Sequence, residues 1–86
     1  MNSRKQAERS IVMNTYHYSI VIEWSNDDQA YVVLLPEWAD QVYQPVTNGS
    51  TIEEAARKGQ EVLESLIEQA QQYGEPLPQA RTFAGV

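Results

Sequence analysis

Between Ile52 and Tyr73 the apolar positions are Ile52, Ala55, Ala56, Gly59, Val62, Leu63, Leu66, Ile67, Ala70 and Tyr73. This i, i+3, i+4, i+7 spacing puts them on one buried stripe of a helix. Both ends carry boundary signals. Asn48-Gly49-Ser50-Thr51 is a turn running into the helix, and both Ser50 with Glu53 and Thr51 with Glu54 have the spacing of a capping box. Those glutamates also favour the positive end of the helix dipole. Gly74 stands where a left-handed C-terminal cap belongs, and Pro76 follows. Ala55, Ala56 and Gly59 keep the first half of the stripe slim, so the helix can lie close on a sheet.

The segments around this helix have the period of strands. Over residues 16–24, Tyr16, Tyr18, Ile20, Ile22 and Trp24 fall on one face, and His17, Ser19, Val21 and Glu23 on the other. Residues 25–29 are a polar turn whose side chains can bond their own backbone. Residues 30–35 form a second strand, apolar on both faces and closed by Pro36. The short turn makes the pair an antiparallel hairpin. A third strand is expected near Val42–Val46, where Pro45 marks an edge or a bulge. A short last strand is expected over Ala80–Phe83, after Leu77 and Pro78. The order is β-β-β-α-β, an α+β fold with a small antiparallel sheet and one long helix on one face.

The chain has 86 residues, enough for one domain. A chain this short buries about 60–65% of its unfolded surface, so its core is thin and self-association adds burial. Residues 1–12 are polar and without strand alternation. They are expected to be an N-terminal extension, a short helix or a loose arm, with 13–86 as the single domain. Met13 could serve as an alternative translational start.

The net charge is −6, and three of the six basic residues, Arg4, Lys5 and Arg9, fall within the first nine positions. From Met13 onward eleven acidic residues face Arg57, Lys58 and Arg81, a net of −8. Such a body repels nucleic-acid phosphates, which are bound by clustered Lys and Arg. It attracts a basic protein. The plainer alternative is that the acids keep a small protein soluble. Cysteine is absent, which removes a disulfide framework, a zinc-thiolate site and a cysteine nucleophile. No apolar run approaches the roughly 20 residues of a membrane span, and the N-terminus has no signal-peptide core. A cytoplasmic location is expected.

Few residues suggest chemistry. His17 is the one histidine, on the outward face of a strand, and reads as a surface side chain rather than a general base. Glu61, Glu64 and Glu68 form an outward helix stripe. They could ligate a hard cation, but without a ligand loop they read as a solvated face. Glu53 with Arg57 and Glu54 with Lys58 have the favourable i, i+4 orientation. Glu23, Asp27 and Asp28 gather around the hairpin turn, where turn chemistry explains them. Trp24 and Trp38 flank the hairpin, and each either caps the core or anchors an interface, with the core favoured for Trp24. No catalytic residue, metal or cofactor is expected. The expected partner-binding residues are Glu23, Trp24, Asp27, Asp28, Glu37, Trp38 and Asp40. Gly49, Thr51, Glu54, Ala55, Gly59, Gly74, Pro76 and Pro78 are expected to be structural.

Three stretches together resemble a known family: YHYSIVIEW, AYVVLLPEW and VTNGSTIEEAARKGQEVLESLIEQAQQYGEPLPQ. Their order and spacing, with NGSTIEEA followed about twenty residues on by GEPLP, are similar to the HicB antitoxin domain over about residues 16–83. The resemblance implies a partly RNase H-like β-β-β-α-β fold without that fold's catalytic carboxylates. It implies neutralisation of HicA, a small basic RNA-cleaving toxin, and assembly into dimers or larger oligomers. Many members also carry a C-terminal DNA-binding part. This chain ends three residues after Phe83, so no direct DNA binding is expected. The other functions in view are a self-associating structural domain without a toxin partner and, by fold analogy, a degenerate nuclease.

Overall fold

The polar turn over residues 26–29 reverses the chain between two strands. In the computed structural model, which describes residues 16–83, β1 (Val21–Ser25) pairs antiparallel with β2 (Ala30–Leu34). β2 pairs antiparallel with β3 (Thr47–Gly49), which makes it the central strand. The expected extension over residues 1–12 lies outside the described residues. A 3-10 turn (Pro36–Trp38) follows β2, and the helix α1 (Ile52–Gln72) follows β3. An antiparallel sheet with one helix packed on it is the α+β arrangement that the patterns predict.

Alternation sets which side chains meet the helix. Ile22 stands opposite Val33, Trp24 opposite Tyr31, and Tyr31 opposite Gly49. Ile22, Val33 and Tyr31 belong to the core, together with Tyr18, Leu35, Trp38, Ala55, Leu63 and Ile67. Val21, Glu23, Val32 and Leu34 point to the opposite face of the sheet. The buried helix positions are Ala55, Gly59, Leu63, Ile67 and Ala70, one stripe as the spacing predicts. α1 packs mostly along β3 and β2. It comes close because two glycines leave room. A β-carbon on Gly49 would lie 2.6 Å from the backbone N of Ala55, and one on Gly59 would lie 2.7 Å from Val33 Cγ1.

The helix ends are built as their signals predict. Thr51 is the N-cap, its Oγ1 accepting the Glu54 N–H at 3.0 Å, while the Glu54 carboxylate accepts the Ser50 N–H at 2.6 Å. Of the two available spacings the chain uses Thr51 with Glu54. That bond to Ser50 is also the main reason the Glu54 carboxyl is held below its ordinary range. At the other end Gly74 has φ +67°, and the Glu75 N–H donates to Ala70 O at 2.8 Å. This is a Schellman closure.

Three strand boundaries differ from expectation. The first ladder begins at Val21, not Tyr16. Tyr16 and His17 have φ of 55° and 65° and form a turn, and the Ser19 N–H is taken by the Glu37 carboxylate. The third strand lies at Thr47–Gly49 rather than Val42–Val46. Pro45 has no N–H to give, so a side chain takes over: Gln44 accepts the Leu35 N–H at 2.9 Å and donates to Leu35 O at 3.1 Å. Residues 80–83 make no ladder. The Arg81 N–H goes to Glu37 at 2.8 Å, while Pro76 and Pro78 have no N–H. Among the described residues the order is therefore β-β-β-α followed by a segment without regular secondary structure.

Candidate functional site

The seven residues expected to face a partner fall at two opposite ends of the sheet. Glu23, Trp24, Asp27 and Asp28 lie at the β1–β2 hairpin. Glu37, Trp38 and Asp40 follow β2 at its far end, separated from the first group by a five-residue strand, about 15 Å.

At the hairpin end Trp24 is 48% exposed, although its strand face points toward the helix. Its ring stands across that of Tyr31, with centroids 5.1 Å apart and planes at 70°. Its indole N–H donates to Asn26 Oδ1 at 2.9 Å. The ring is therefore fixed by a cross-strand neighbour and by the turn. The turn is braced in the same way: the Asp28 N–H donates to Ser25 Oγ, and Ser25 Oγ donates to Asp28 Oδ2. Gln29, at φ 52°, donates its side-chain amide to Asn26 O at 2.8 Å. Asp27 and Glu23 are exposed. The start of α1 lies at this same end, because Gly49 pairs with Tyr31, and Ile52 there is 56% exposed.

The second group behaves differently. Glu37 is a clasp. Its carboxylate accepts the Ser19 N–H at 3.1 and 3.2 Å, the Ser19 hydroxyl at 3.1 Å and the Arg81 N–H at 2.8 Å. Burial pushes its carboxyl upward, but these donors and its own backbone N–H outweigh that and hold it below the ordinary range. Tyr18 beside it is pushed up by burial first, then by the Glu37 charge and by Tyr16. The Tyr18 hydroxyl donates to Pro78 O, so the segment after the helix is pinned at two points, Pro78 and Arg81. Trp38 is 1% exposed, with its ring edge-on to Tyr18 at 5.5 Å. A surface ring at position 38 is thus corrected: the 3-10 turn after Pro36 rotates it into the core. Asp40 is exposed on a shallow loop beside Tyr43, which is 97% exposed.

Sequence reasoning missed Asn26 and Tyr31 as the groups that fix Trp24. Tyr31 was within reach of it, since the hairpin register places it opposite Trp24. Gln44 and Tyr43 carried no signal beyond their neighbour Pro45. His17 lies in an exposed turn. Among the described residues no three His, Asp or Glu side chains converge where a metal ion could sit. Among them, too, no helix is long and apolar enough to cross a membrane. Comparison with protein-family models, curated proteins and solved structures gives no match.

Proposed function

We propose that this chain is a non-catalytic, HicB-like binding module of the cytoplasm that covers the surface of a small basic partner, an RNA-cleaving toxin of the HicA type. The observation that carries the reading is the hairpin end. There a half-exposed tryptophan, bonded to Asn26 and packed on Tyr31, precedes a turn that carries Asp27 and Asp28, on a chain of net charge −6. Exposed aromatics near charge are what a protein interface uses. Supporting it are the α+β architecture and the segments that resemble the antitoxin domain.

The test is binding to any small basic protein encoded by an adjacent gene, measured by surface plasmon resonance at several salt concentrations. The on-rate should fall steeply with salt, because charge steering is screened within about 8 Å at physiological ionic strength. No binding to that protein, together with no basic protein retained from native lysate, would overturn the reading.

A second reading is favoured by the open face of the sheet. Val21, Val32 and Leu34 lie there only partly covered, opposite the helix. On that reading the domain associates with its own copies, as a homodimer or larger oligomer.

A further inference from the structure

The Trp24 indole has already spent its one polar group. Its N–H is bonded to Asn26, and Tyr31 stands across the ring. What remains exposed is the π surface and hydrocarbon edge of a ring that cannot easily turn away. Such a surface attracts cations through its quadrupole. The turn that follows it carries the same preference: Asp27 and Asp28 lie there, both exposed. Neither carboxylate has an ion-pair partner among the described residues, although Asp28 Oδ2 accepts the Ser25 hydroxyl. An anion would be repelled here, and a neutral apolar group would gain nothing from the neighbouring acids.

We infer that the Trp24 ring is a platform for one arginine or lysine side chain of a partner protein, stacked on the indole and neutralised by Asp27 and Asp28. The inference rests on the reading of the domain as a binder of basic proteins and adds where the partner docks and by what chemistry. It assigns contact to the hairpin end and leaves Glu37 and Trp38 to the fold. Arginine suits the site better than lysine, because its planar guanidinium stacks on an aromatic face and can also reach a carboxylate.

The test uses the full chain, labelled with nitrogen-15, and an arginine hexapeptide, with the citrulline hexapeptide as its neutral control. The two indole N–H signals separate the exposed ring from the buried one. The arginine peptide should move the Trp24 indole and the amides of residues 23–31, leave the Trp38 indole still, and outbind the citrulline peptide. Trp24→Leu should weaken the arginine peptide about fivefold, the scale of a cation–π contact, while Trp24→Phe retains part of the effect. Asp27→Asn with Asp28→Asn should weaken it by a similar factor. Shifts centred on the Glu61–Glu64–Glu68 stripe or on residues 39–43, or no shift at millimolar peptide, would overturn the inference. The native basic partner separates the two levels. If it binds and Trp24→Leu leaves its affinity unchanged, the docking site is wrong and the binding reading stands. If the peptide binds at Trp24 but no basic protein binds, the platform stands and the antitoxin-like reading falls.

Discussion

Gly59 of the helix faces Val33 of the central strand so closely that a β-carbon would sit 2.7 Å from Val33 Cγ1 and 3.4 Å from Ile20 Cγ2. Val33 is fully buried and cannot retreat. Alanine here would gain about 1 kcal/mol of helix propensity. The contact opposes that gain, so Gly59→Ala should still destabilise. Gly59→Leu has no room at all and should lose about 3 kcal/mol, the upper part of the overpacking range. In a domain of this size that is a fall in Tm of more than about 10 °C. A melting temperature unchanged by leucine would mean that the helix does not approach the sheet at Gly59.

Glu37 makes the fold acid-sensitive. Its carboxyl lies below the ordinary value of 4.5 in the folded chain because Arg81 and Ser19 donate to the charged form. A depressed folded pKa contributes stability that is present above the unfolded value and lost as pH falls through the folded one. The chain should therefore weaken progressively below about pH 4.5. Glu37→Gln should be less stable at neutral pH by about 1–3 kcal/mol and show a shallower loss on acidification. The Arg81 amide should also exchange faster in the variant, since its acceptor becomes a group that also donates. Urea melts from pH 3 to 7 with amide exchange at Arg81 read both effects. Parallel acid profiles for the two proteins would show that the clasp is not what titrates.

Much of this fold was legible in the sequence, and the parts that were not share a cause. The stripe of α1, its slim half at Ala55 and Gly59, and the closure at Gly74 follow from local rules, so the residues announce them. The sequence narrows the N-cap to two candidates, since Ser50 and Thr51 each have a glutamate three residues on, and the structure uses Thr51. The strand boundaries were misread wherever a side chain stands in for backbone. Gln44 pairs with Leu35 in place of a strand broken by Pro45, and Glu37 holds Ser19 and Arg81 where a fourth strand was expected. Such contacts join residues 9, 18 and 44 positions apart, and periodicity carries no trace of them. The candidate site divided for the same reason: the sequence favours Trp24 for the core, but a 3-10 turn buries Trp38 and leaves Trp24 half exposed.

The two tryptophans should therefore respond in opposite ways. Trp38→Ala removes a ring that is 1% exposed and should destabilise by about 3–5 kcal/mol, a large part of what so small a domain has. Trp38→Phe should be much milder. The indole N–H of Trp38 has no protein acceptor among the described residues, so phenylalanine gives up ring volume but no hydrogen bond within them. Trp24→Ala should lower stability by about 1 kcal/mol, the scale of an aromatic pair at the surface. Acrylamide should quench Trp24 and spare Trp38. Equal destabilisation by the two alanine variants would contradict the burial that separates them.

The open face of the sheet gives the last prediction. Val21 and Leu34 stand opposite each other there, with Val32 opposite Glu23. A core this thin gains from covering such a face, and a twofold contact between copies covers both at once. Wild-type chain at high micromolar concentration should scatter light as a dimer or larger particle, above the 9.8 kDa of one chain. Val32→Lys is the discriminating variant. It puts an ammonium directly across from Glu23, so the monomer keeps a favourable cross-strand pair and should remain folded. A second copy, however, would have to bury that ammonium against apolar side chains, at a cost of several kcal/mol. The variant should run as a monomer with circular dichroism and Tm close to wild type. A wild-type chain that is monomeric under these conditions removes the self-association reading. A Val32→Lys protein that still assembles places the contact elsewhere.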